Sequence, residues 1–178
     1  MICNSRVERK KTETRQTILE ICEEIFLAEK SFDRVTMREI ARKADVSVGA
    51  LYLHFKTKED ILANLTARFI VRHIRLITEF ISGTTEGAAR LQKLLEYFRQ
   101  MTADPILAIF PTMPLCSYNK FNSIDSATLD AVISASDKLI TLTESIFIAG
   151  RDDGSLIVDH DPKILAATLI RSVMALFQ

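Results

Sequence analysis

Tryptophan is absent from this 178-residue sequence, cysteine and histidine occur three times each, and the 23 basic and 23 acidic residues cancel. Each shortage excludes something. Cys3, Cys22 and Cys116 are odd in number and widely spaced, which suits a reducing cytoplasm and not a disulfide framework. No uninterrupted apolar run reaches the ~18–20 residues of a membrane span. The opening Met1–Arg6 stretch lacks the apolar core of a secretion signal, so a cytoplasmic chain without a membrane partner is expected. His54, His73 and His160 lie in separate segments, and no HExxH, paired CxxC, P-loop or GxSxG occurs. With no catalytic base beside a placed partner, the sequence predicts no catalytic residue, no cofactor and no enzyme. Asp152, Asp153, Asp159, His160 and Asp161 come nearest to a metal cluster. However, the first two adjoin a helix-stopping glycine and Asp161 reads as a helix cap, so no metal site is expected.

What is present is helical periodicity. At 48% hydrophobic and 26% charged, the chain can bury a core as one compact domain or as a small domain fused to a larger one. Ile18, Ile21, Cys22, Ile25 and Phe26 form the stripe of a first helix. Thr57 caps a later one that carries Ile61, Leu62, Leu65, Phe69, Ile70, Ile74, Ile77 and Ile81. Ser82–Gly87 breaks the pattern, and Leu91, Leu94, Leu95, Phe98 and Met101 resume it as far as Asp104-Pro105. A long helix is predicted from about Ser126 to Ala149, stopped by Gly150-Arg151-Asp152-Asp153-Gly154. A last one begins at Asp161-Pro162, a cap followed by proline in the first turn. Leu156-Ile157-Val158 is the one candidate for a short extended piece.

The segment from Thr36 to Glu59 says most. Thr36 with Glu39 three residues on is a capping box. Ile40, Ala41 and Ala44 give a short helix one apolar face, Asp45 sits in a turn, and Ser47 can cap a second helix. Leu51 and Phe55 anchor that second helix from below. Its other face carries Val48, Gly49, Ala50, Tyr52 and His54, which is not a core face. A helix-turn-helix presents its recognition helix to the DNA major groove in this way. Arg34, Arg38, Arg42, Lys43, Lys56 and Lys58 stand against Glu39 and Asp45 alone. A second basic cluster, Arg6, Arg9, Lys10, Lys11 and Arg15, outnumbers Glu8 and Glu13. Local positive charge attracts phosphates even on a neutral chain.

These residues carry a resemblance. The stretch Thr36 to Ile61, and Leu62 just beyond it, resembles the DNA-binding signature of the tetracycline-repressor (TetR) family of bacterial regulators. The match runs in order through Thr36, Ile40, Ala41, Ala44, Val46, Ser47, Gly49, Leu51, Tyr52, Phe55, Lys58, Glu59 and Leu62. Arg15–Phe26, with Ala28 and Phe32, is similar to the family's first helix and the segment after it. Asp45 departs from the usual glycine, but Asp tolerates a left-handed backbone better than most residues. Ala50 replaces a frequent Thr or Ser, which removes one hydroxyl. The reading implies a DNA face of Thr36, Arg38, Ser47, Val48, Gly49, Ala50, Tyr52, His54 and Lys58. Arg38 would reach a guanine edge, Val48 a thymine methyl, and Tyr52, His54 and Lys58 phosphates.

The rest of the chain supplies two further expectations. After Lys163 the last helix holds a single charge, Arg171, and a helix apolar on nearly all sides must be buried on nearly all sides. The resemblance implies a homodimer built from the last two long helices. Leu129, Val132, Ile133, Leu139, Ile140, Ile146, Ala167, Ile170, Val173, Met174 and Phe177 are its candidate interface, with an internal core helix as the alternative. The pattern stops at Gln178 without a cap, which leaves open whether the C-terminus is complete. Phe69, Phe98, Met101, Ile109, Phe110, Met113, Cys116, Tyr118, Phe121 and Phe147 surround a region interrupted by Pro111 and Pro114. They are candidates for an effector cavity, although each also suits ordinary core. Few charges lie among them, which favours an apolar or amphipathic small molecule. The sequence thus predicts an all-α chain. Residues 1–56 form a three-helix DNA-binding domain, and residues 57–178 a helical effector-binding and dimerisation domain. The resemblance implies a repressor that leaves double-stranded operator DNA when the effector binds. The alternative is a DNA-bound scaffold that acts through a protein partner.

Overall fold

The computed structural model describes residues 2–29, 34–101 and 124–175. They form seven helices and, among the described residues, no strand, as the sequence predicts; Leu156–Val158 is irregular chain. The helices are α1 (Ile2–Glu29), α2 (Met37–Lys43), α3 (Val48–His54), α4 (Lys58–Ile81), α5 (Gly87–Met101), α6 (Ser126–Asp152) and α7 (Pro162–Ala175). They divide into two compact units. One contains α1 to α3, the start of α4 as far as Leu65, and the beginning of α6 as far as Leu129; the other contains α4 from Thr66, α5, α6 from Asp130, and α7.

In the first unit the core is the α1 stripe Ile18, Leu19, Cys22, Ile25 and Phe26 with Val35, Ile40, Ala41, Leu51, Phe55 and Ile61, all buried. Cys22 is a free thiol whose pKa burial pushes up to about 12, so it packs as an inert small hydrophobe. The short helices α2 and α3 are too brief to persist alone, and their ends are satisfied locally. Thr36 Oγ1 accepts from the Glu39 amide at 3.3 Å, and the Thr36 amide donates to Glu39 Oε2 at 3.0 Å. Ser47 Oγ accepts from the Ala50 amide at 3.1 Å. Between the helices Asp45 takes φ 52°, the left-handed conformation that Asp adopts more readily than most residues.

The second unit buries Phe69, Ile77, Leu94, Phe98, Leu139, Ile146, Ile170 and Val173 in one cluster. Here the structure corrects one reading. Gly150 does not stop α6, which continues to Asp152; Gly154, at φ 74°, follows its end. Gly150 serves close packing, because a Cβ on Gly87 would fall on the Gly150 backbone. The start of α5 and the end of α6 therefore meet backbone to backbone. Asp153 secures the junction: its carboxylate accepts from the Gly87 amide at 2.7 Å and from the Ser155 amide at 2.9 Å. Asp161 caps α7 through the Lys163 amide at 2.8 Å.

Candidate nucleic-acid interface

The outward face of α3 is built by what holds its inward face. Leu51 and Phe55 are fully buried, which leaves Val48 at 38%, Tyr52 at 51% and Leu53 at 79% exposure. Gly49 is exposed, and a Cβ there would meet nothing nearer than Ser47 Oγ at 4.0 Å. Space inside the protein does not require glycine at this position; a bare backbone does allow close approach from outside. Thr36, Arg38 and Ser47 are exposed as well, while Ala50, His54 and Lys58 are half-buried. Lys58 Nζ donates to the Val35 carbonyl at 3.3 Å, which ties the start of α4 to the chain entering α2.

Sequence reasoning counted Arg15 only as one of a basic cluster. In the structure it is the brace of α3. One guanidinium nitrogen donates to the His54 carbonyl at the end of α3 at 2.5 Å, and another donates to Asn64 Oδ1 on α4 at 2.8 Å. The guanidinium carbon lies 4.2 Å from the centre of the Phe55 ring, a cation–π distance. Asn64 is itself fixed, donating to the Asp60 carbonyl at 2.8 Å and to Thr128 Oγ1 at 3.0 Å. These long-range partners, 39 and 49 residues from Arg15, leave no local pattern to find.

The electrostatics follow from the same contacts. Burial, then the charges of Arg15 and Lys11, hold the His54 pKa below its ordinary value. His54 is therefore a neutral imidazole near pH 7, able to offer hydrogen bonds but no positive charge. Glu39 is held below the usual carboxylate range by the Thr36 amide and hydroxyl and by Arg42 and Lys43. Lys56 and Asp125 pair at 3.1 Å, which lowers the Asp125 pKa.

The other predicted residues lie elsewhere. Phe69, Phe98 and Met101 are buried in the cluster of the second unit; Phe147 is half-buried. His73, absent from the sequence list, is buried beside Phe69 at 3.9 Å between ring centres, and its Nδ1 lies 2.6 Å from the Tyr97 hydroxyl. Ile109, Phe110, Met113, Cys116, Tyr118, Phe121 and Phe177 lie outside the described residues. Of the candidate interface, Val132, Leu139, Ile146, Ile170 and Val173 are buried within the chain itself. Leu129, Ile140, Ala167 and Met174 are half-buried, and Ile133 is 50% exposed. The α7 circumference is not closed either, since Ile164 is 62% exposed. Among the described residues no group of His, Cys, Asp or Glu is placed to hold a metal ion, and no helix is long and apolar enough to cross a membrane.

Residues 24–65, which hold this helix-turn-helix, match the pattern of bacterial regulatory proteins of the tetR family. That stretch is similar to the TetR family. The HTH-type transcriptional repressor BepR of Brucella suis is 40% identical over 63 residues, 35% of this chain and 30% of BepR. The fatty acid metabolism regulator protein of Bacillus subtilis is 30% identical over 94 residues, 52% of this chain and 48% of that protein. The chain spans between 25% and 57% of the length of curated relatives that it matches. Among solved structures, FadR of Bacillus subtilis in complex with stearoyl-CoA superposes with a TM-score of 0.68 at 18% identity, covering 91% of this chain and 84% of that one. This last likeness establishes the TetR-like fold of seven helices.

Proposed function

We propose that the chain is a sequence-specific, cytoplasmic DNA-binding regulator that acts as a homodimer and represses until a small, mostly apolar effector releases it from its operator. One observation carries the reading: α3 is capped, anchored by Leu51 and Phe55, and braced by Arg15, yet it keeps Val48, Gly49 and Tyr52 outward. Fixing a helix so firmly while leaving its apolar and aromatic residues in water suits a partner surface, and duplex DNA fits its shape and the local positive charge. The site residues then act in two ways. Arg38 and Val48 read base edges; Thr36, Ser47, Tyr52, His54 and Lys58 hold the backbone, with Gly49 and Ala50 allowing close approach.

Dimerisation is supported by the exposed Ile133 and Ile164 on the two C-terminal helices. The effector reading rests on the apolar cluster around Phe69, Phe98 and Met101. The Bacillus subtilis FadR structure holds stearoyl-CoA, which makes a long-chain acyl thioester the first effector to test. Coupling would run along α4, whose first turns belong to the DNA-binding unit and whose remainder belongs to the other. An effector moves DNA affinity only by its preference between two positions of that helix, and DNA must weaken effector binding by the same factor. Titrating stearoyl-CoA calorimetrically with and without bound operator tests this, and equal affinities would refute the coupling.

A further inference from the structure

Two helices run out of the first unit, and a hydrogen bond joins them where they leave it. Helix α4 belongs to that unit as far as Leu65, and α6 as far as Leu129. Asn64 and Thr128 stand just inside those two points, and Asn64 Nδ2 donates to Thr128 Oγ1 at 3.0 Å. Thr128 is 3% exposed, so its hydroxyl is sheltered from water. Lys56 and Asp125, just ahead of the same two helices, pair at 3.1 Å, but their side chains are 71% and 37% exposed. Solvent and salt screen such a pair, which leaves the buried bond as the firmer tie.

The orientation of the Asn64 amide is dictated by its neighbours. The Arg15 guanidinium can only donate, so it takes Oδ1, at 2.8 Å, and the amide nitrogen must turn to acceptors. Those are the Asp60 carbonyl at 2.8 Å, an Asp60 carboxylate oxygen at 3.2 Å and Thr128 Oγ1. Asp60 is held in turn. It is 2% exposed, its other carboxylate oxygen accepts from the Lys56 amide at 3.3 Å, and its own amide donates to Thr57 Oγ1 at 3.1 Å. Arg15 completes the line by donating to the His54 carbonyl at the end of α3, at 2.5 Å. Hydrogen bonds therefore run from α6 through α4 and α1 to the end of α3. A charged donor on the amide oxygen polarises the amide and strengthens the bond that its nitrogen makes on the far side.

We infer that Asn64 and Thr128 are positioning residues for the recognition helix, through which the placement of α6 sets the orientation of α3. The inference rests on the proposed DNA-binding function and gives its switch a second input beside the α4 lever. Movement of α6 against α4 breaks the Thr128 bond, loosens the hold of Asn64 on Arg15 and frees the end of α3. By reciprocity, DNA that needs α3 held in place stabilises the Asn64–Thr128 bond.

The test is a double-mutant cycle on affinity for a duplex selected from a random pool by the unmodified chain, read by fluorescence anisotropy at fixed salt. Thr128→Val removes the hydroxyl and keeps the branched shape, whereas Thr128→Ser keeps the hydroxyl. Arg15→Lys keeps the charge but lacks the fork that joins Asn64 to α3. Thr128→Val should weaken binding roughly 2- to 10-fold, the range of one ordinary hydrogen bond, and Thr128→Ser should bind as the parent does. In the Arg15→Lys background Thr128→Val should have no further effect, because the line to α3 is already cut. Thr128→Ala, which removes the hydroxyl without adding an apolar methyl in its place, should give the same pattern. A bond that only stabilised the fold would lower Tm and leave the affinity of the folded chain unchanged, so circular dichroism at the assay temperature accompanies each variant. If the unmodified chain selects no duplex, the proposed function and this inference both fall. If it selects one, and the folded variants without the hydroxyl bind like the parent or lose the same factor in both backgrounds, only the positioning role falls.

Discussion

Arg15→Ala should damage the DNA-binding unit without touching its outward face. The substitution removes two donors from partly buried acceptors, the His54 carbonyl at 2.5 Å and Asn64 Oδ1 at 2.8 Å, and the cation over Phe55 at 4.2 Å. A hydrogen bond from a charged group contributes about 1.5–3 kcal/mol net when well sheltered, and an exposed cation–π contact about 0.5–1. Arg15 is half-exposed, which holds each term near its lower end, and neighbouring terms do not simply add. The expected loss is about 2–4 kcal/mol, read by urea denaturation followed by circular dichroism. Arg15→Lys is the informative companion. It keeps the charge but lacks the planar fork that reaches α3 and α4 together, so it should recover no more than about half the loss. DNA affinity should fall with both variants, because the end of α3 is no longer tied. A lysine variant as stable and as tight-binding as the parent would refute the brace and leave Arg15 as one more surface charge.

Gly87→Ala should destabilise by about 1–3 kcal/mol or more, measured in the same way, because its Cβ would overlap the Gly150 backbone and neither helix can yield locally. Acidification from pH 7.5 to 5.5 should lower stability in part through His54. Its native pKa lies below the ordinary 6.5, so the unfolded chain binds the proton first, and the stability present above pH 6.5 is lost as pH falls towards the native value. His54→Gln should flatten the pH dependence of Tm in that window. For the dimer, Ile164→Glu should give monomers in sedimentation while remaining folded, since that side chain is 62% exposed in a single chain. Val173→Glu should instead unfold the chain, because it would place a charge inside the core; a folded monomer from Val173→Glu would contradict the assignment of that residue to the core.

Legibility in the sequence tracked the range of the interaction. The Thr36–Glu39 box, the Ser47 cap and the left-handed Asp45 are settled within four residues, so residue type and spacing reveal them. Gly150 misled because Gly-Arg-Asp-Asp-Gly is locally a stop signal, whereas its role is set by Gly87, far off in sequence. Arg15 was legible as a charge but not as a brace, since His54 and Asn64 come beside it only in the folded unit. Leu139, Ile146, Ile170 and Val173 show a related limit. Periodicity reveals that a face is covered, not whether the same chain covers it, and here the same chain does. From Glu8 to Thr17 α1 carries no apolar residue, so the periodic signal began only at Ile18.

The central claim is that α2 and α3 read a DNA sequence. Its most direct test is the affinity of the parent chain and of Arg38→Ala for a selected duplex and for each single-base variant of it, at fixed salt. The account predicts a two-fold symmetric preferred site, and a loss of about 1–3 kcal/mol for Arg38→Ala together with relaxed preference at one position per half-site. A parent chain that binds every duplex equally, or an Arg38→Ala variant with an unchanged base profile, would contradict it.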